Sequence, residues 1–134
     1  MIDPKTLASL PDDALNRTEF HDTLVPLSRL VEMRLEAGKG GGVNGNRFVG
    51  CVIRGPGIIV PDADTDFDHC LMGETHGDIR NLFVLSQGPR ISGAIAVHGC
   101  RFERCQFVGI GFAGDQQFVD HFISTLSGKA GAPA

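Results

Sequence analysis

The chain has 134 residues, a length that fits one domain and leaves little room for a second core. Its formal net charge is −4 and its twelve basic residues are scattered, which argues against direct DNA or RNA binding. No apolar run is long enough to span a membrane and the start lacks the basic end and apolar stretch of a signal peptide, so the expected location is the cytoplasm, with the four cysteines reduced. Eighteen glycines point to many tight turns, and nine phenylalanines without tryptophan or tyrosine point to aromatics that fill a core.

Residues 1–45 read as a helical segment followed by a linker. Asp3-Pro4 and Asp12-Asp13 carry the signals of brief helix starts. A stronger helix is expected from Pro26 to Ala37, with Leu27, Leu30, Val31 and Leu35 on its buried face and Arg29, Glu32, Arg34 and Glu36 on the other. Gly38 stops it, and GKGGGVNGN (38–46) is a glycine-rich linker. This is no phosphate loop, because a helix precedes it and Lys39 is followed by glycine.

Residues 46–114 carry an internal repeat. Phe48-Val-Gly-Cys51, Phe67-Asp-His-Cys70 and Phe102-Glu-Arg-Cys105 share a Phe-x-x-Cys pattern, and Leu85-Ser-Gln-Gly88 fills the gap, at spacings of 19, 18 and 17. A repeat this short cannot bury its own apolar face, so copies must stack, with phenylalanines over phenylalanines and cysteines over cysteines. Toward the C-terminus the period sharpens to five residues in Ile95-Ala96-Val97, Cys100-Arg101-Phe102, Cys105-Gln106-Phe107 and Ile110-Gly111-Phe112, and Cys51-Val52-Ile53 is a weaker copy. In these residues the chain resembles the pentapeptide-repeat proteins. The resemblance implies a mainly β fold, a short right-handed β-solenoid (β-helix) in which the bulky residue and the small residue two before it point inward. Between Asp62 and Ser92 the period fails, and there a less regular right-handed β-helix describes the chain nearly as well. Residues 115–127 are expected to form a C-terminal capping helix opened by Asp115, with Phe118, Phe122, Ile123 and Leu126 in one stripe, before a disordered tail at 128–134.

Three groups of side chains carry possible chemistry. Asp62, Asp64, Asp66 and Asp68 alternate, and on an extended segment all four carboxylates share one face that would hold calcium or place an acid and a base for sugar chemistry. An EF-hand loop is excluded, since Phe67 stands where its glycine and Gly73 where its glutamate belongs. His69, Cys70, His76, His98, Cys100 and Cys105 match no zinc spacing, and the inward repeat position makes Cys100 and Cys105 core thiols. Arg54, Arg80, Arg90 and Arg104 are read as outward arginines on a solvated surface.

The expected role is a non-catalytic interaction or self-assembly module with no cofactor, whose partner is a second copy in a two-fold dimer or another protein. A carbohydrate-active β-helix enzyme or binder using the Asp62–Asp68 face is the alternative, and the missing tyrosine and tryptophan count against it. A further alternative, implied by the pentapeptide-repeat resemblance, is a nucleic-acid mimic, for which this chain is short and weakly charged.

Overall fold

A computed structural model describes residues 4–40, 42–62, 64–87 and 91–128, so Arg90 and the tail beyond Gly128 lie outside the described residues. In chain order the elements are β1 (Glu19–His21), β2 (Leu24–Pro26), α1 (Leu27–Glu36), β3 (Val43–Asn44), β4 (Arg47–Val49), β5 (Val52–Pro61), β6 (Asp66–Asp68), β7 (Phe83–Leu85), β8 (Ile95–His98), β9 (Arg101–Glu103), β10 (Gln106–Gly114) and α2 (Gln116–Gly128). The chain is mainly β with two helices. Its strands pair in parallel in two sheets, one ordered β1-β4-β9-β6 and the other β3-β8-β5-β10-β7, with β2 also on β5.

Side-chain size explains why these segments come into register. Phe20, Phe48, Phe102 and Phe67 occupy equivalent positions on β1, β4, β9 and β6. Their rings stack at 5.1, 5.0 and 5.2 Å with interplanar angles of 9°, 6° and 6°. Shifting a strand by one residue would turn its phenylalanine to solvent, so the aromatic row holds the register. Two residues after each phenylalanine the chain turns a corner through a left-handed residue: Asp22 (φ 49°), Gly50 (64°), Arg104 (51°) and His69 (54°). Three of those four residues are not glycine, which costs each about 1–2 kcal/mol that the neighbouring stack must offset. A small side chain follows in every case, namely Thr23, Cys51, Cys105 and Cys70. Beyond it the next inward row continues through Val25, Ile53 and Phe107, in register on β2, β5 and β10 and all buried.

The stack does not follow the order of the chain. Phe102 sits between Phe48 and Phe67, so the 95–114 stretch is inserted between segments that precede it in sequence. The fourth member of the row is Phe20-His-Asp-Thr23, and Leu85 instead belongs to β7, which pairs with the end of β10. Residues 1–45 are therefore more than a helical segment: they supply β1 and β2, and the supposed linker ends in β3, whose Val43 is buried against Val97.

Both ends of the aromatic row are covered. Asp115 accepts the Phe118 N–H at 2.8 Å and opens α2, whose Phe122 lies 5.5 Å from Phe67, Phe83 and Phe112. At the Phe20 end, Ala14 in a short 3-10 helix is fully buried and Leu10 packs on the same core. Ala8 adds a parallel bridge to Thr23, with N–H···O distances of 3.0 Å to Asp22 and 2.9 Å from Leu24.

The buried face of α1 is Leu27, Leu30 and Arg34, while Leu35 is 55% exposed. Arg34 turns inward because Asn46 is buried there and needs a partner. Its guanidinium donates to Asn46 Oδ1 at 2.6 Å and to the carbonyls of Ala14 and Arg17 at 3.3 and 3.2 Å, and Asn46 Nδ2 donates to Arg17 O at 3.0 Å. These bonds latch α1 and the N-terminal cover onto the first turn of the stack. No described helix is long and apolar enough to cross a membrane.

Candidate functional site

Three surfaces and one interior row collect the chemistry-bearing residues. On the outer side of the β1-β4-β9-β6 sheet, equivalent positions form rows at one-strand steps, Glu19–Arg47–Arg101–Asp66 and His21–Val49–Glu103–Asp68. Arg47 donates to Glu103 Oε2 at 2.9 Å and reaches Glu19 at 3.4 Å, and Arg101 Nε meets the other Glu103 oxygen at 3.0 Å. The hydrogen bond from Arg47 holds the Glu103 carboxyl below its ordinary value. His21 lies 3.0 Å from Glu19. Arginines and acids thus neutralise each other across strands, which leaves an ordered, charged and flat face. The sequence signal for it was the pair of Arg-Phe dipeptides at 47–48 and 101–102.

The acidic run does not form the expected single extended face. β5 ends at Pro61 and the chain turns, with the Thr65 N–H on Asp62 O at 3.2 Å, so Asp62 and Asp64 lie in a turn and Asp66 and Asp68 on β6. Asp62 accepts from the Asp64 N–H (3.1 Å), the Thr65 hydroxyl (3.0 Å) and the Gly99 N–H (3.2 Å), and its second oxygen meets His98 Nδ1 at 2.9 Å. Burial raises the Asp62 pKa, but donation from His98, Gly99 and Thr65 outweighs it and holds the carboxyl below its ordinary value. His98 and Asn44 are register partners, so Asn44, His98 and Asp62 form a polar row on this corner. Asp68 engages His69 Nδ1 at 2.6 Å. Among the described residues no group of three or more His, Cys, Asp or Glu side chains is arranged to hold a metal ion.

The remaining candidates separate. Arg80 forks onto Asp78, which is held down to about 2 by that pairing, and the His76 N–H donates to Glu74. Arg54 is exposed on β5 and Arg104 is exposed at the corner after β9. Cys51, Cys100 and Cys105 are buried and Cys70 is half-buried. Burial pushes the Cys100 thiol up.

The third surface is apolar. β7 is the last strand of its sheet, and among the described residues nothing pairs with its outer edge. Val84 and Leu85 on β7 are 38% and 54% exposed. No protein-family model, curated protein or solved structure matches the chain.

Proposed function

We propose that the chain is a short right-handed β-solenoid that works as a non-catalytic self-assembly module, pairing with a second copy of itself through the outer edge of β7. Solenoid geometry accounts for the parallel in-register rows, the repeated left-handed corner and the two covered ends together. The observation that carries the assembly reading is the contrast between edges. β6 is guarded by Asp66 and Asp68, and β1 by Glu19 and His21, the usual charged protection of an open strand. β7 presents Val84 and Leu85 and no charge. A two-fold axis would set the two β7 edges antiparallel and bring each copy's Val84 and Leu85 against the other's. Light scattering across a concentration series tests this: the full chain runs as a dimer, and Val84→Lys on the exposed edge gives a folded monomer. A wild-type monomer at high concentration sinks the proposal.

A further inference from the structure

The interior carries a row of three thiols on neighbouring strands. Cys51, Cys105 and Cys70 follow the stacking order of the strands, since Val49, Glu103 and Asp68 and then Val52, Gln106 and Leu71 are register partners on either side of them. Each sulfur makes the same two contacts. One is to the carbonyl two residues before it, at 3.5 Å for Val49, Glu103 and Asp68. The other is to the phenylalanine carbonyl of the neighbouring strand, at 3.4 Å for Cys51 on Phe20, 3.3 Å for Cys105 on Phe48 and 3.3 Å for Cys70 on Phe102. Identical contacts mean identical rotamers, so the sulfurs repeat at the strand spacing of about 4.8 Å. Cys105 is the middle member of the three, since its strand lies between those of Cys51 and Cys70. Thr23 takes the equivalent place one strand further out, where its hydroxyl donates to His21 O at 2.9 Å.

That spacing discriminates between two thiol chemistries. A disulfide needs Cβ atoms about 3.8 Å apart, roughly 1 Å closer than in-register strands sit. Two metal–sulfur bonds of about 2.3 Å laid end to end span about 4.6 Å, close to the strand step. Soft thiolate pairs select Cu(I) over harder ions, and a linear site needs only two donors. We propose that Cys105 and Cys70 form a two-coordinate site for a soft monovalent d10 cation of the Cu(I) class, with Cys51 as the neighbouring thiol behind it. Cys70 is the half-buried member and supplies the entrance, whereas Cys51 and Cys105 are closed off. Binding breaks two S–H bonds and forms two S–metal bonds, and both protons pass to water. No electron is transferred and one negative charge stays spread over the two sulfurs.

The test uses Ag(I), the redox-inert member of this class, on the reduced full-length chain, read by native mass spectrometry and by sulfur-to-metal charge-transfer absorption. One Ag(I) per folded chain is expected, with the stoichiometric equivalent lost in Cys105→Ser and in Cys70→Ser and kept in Cys100→Ser. Circular dichroism verifies that each variant is folded, and the half-buried Cys70→Ser keeps the test valid should Cys105→Ser unfold. Absence of binding by the wild type, binding that survives Cys70→Ser, or binding lost equally in Cys100→Ser overturns the site.

Discussion

The stacked stretches 43–62 and 95–114 and the intervening stretch 71–94 differ in how they are held. In the first two the inward positions are apolar or small thiols except for the buried Asn46, and neighbours repeat from strand to strand: Val43 on Val97, Phe48 on Phe102, Cys51 beside Cys105, Ile53 on Phe107. The intervening stretch adds the short β7 and a 3-10 helix at Ile79–Leu82, and keeps Met72 and Leu82 as its buried anchors. The lesson is that repeated positions determine which segments touch, while the chain between them is free to wander and return. An inserted turn is possible because a parallel strand needs only a matched neighbour, wherever in the sequence that neighbour lies.

Mutations that separate the two regions sharpen this contrast. Phe102 contacts Phe48, Phe67 and Phe107 at ring distances of 5.0, 5.2 and 5.1 Å, so Phe102→Ala is expected to cost about 3–5 kcal/mol in denaturant unfolding. Phe83 is half-buried in the looser region, and Phe83→Ala should cost less than half as much; equal losses would erase the distinction. Arg34→Ala removes the latch and strands Asn46 in the core, at a cost of about 1.5–3 kcal/mol. Gly55 of β5 approaches the Gly109 carbonyl of β10 so closely that a Cβ would collide with it, so Gly55→Ala is predicted to destabilise the stack. In the loose stretch, Gly77→Ala meets open space, and its cost is confined to the left-handed backbone at φ 85°, about 1–2 kcal/mol.

Acid should loosen the stacked region by a defined route. Asp62 and Glu103 have folded-state values below the 3.8 and 4.5 of the free groups. Each therefore contributes stability that is complete above the unfolded value and is lost as pH falls through the folded one. Melting temperature is expected to drop below about pH 4, with a shallower slope in Asp62→Asn and Glu103→Gln. An unchanged slope in both variants would remove these two bridges from the account.

Much of the aromatic row was legible because Phe-x-x-Cys marks three of its members. Phe20 lacks that mark because Thr23 replaces the cysteine, although a threonine is close to it in size and also donates to a carbonyl. Neighbour order was not legible, since identical residue types in every copy say that strands stack and not in which sequence. The buried side of α1 differs by one position from its apolar count: the count favours Leu35, whereas the buried Asn46 recruits Arg34. The acidic alternation looked like one strand face because the turn at 62–65 has no glycine or proline of its own after Pro61. The apolar edge of β7 left no signal, because Phe83-Val-Leu85 reads as an ordinary buried strand until its place at the end of a sheet is known.

Stacking order is the claim on which the rest depends, and aromatic NOEs in a phenylalanine-labelled sample test it most directly. With Phe102 between Phe48 and Phe67, ring contacts appear for Phe48–Phe102 and Phe102–Phe67 and are absent for Phe48–Phe67. A strong Phe48–Phe67 contact would mean that the turns stack in chain order and would contradict the account.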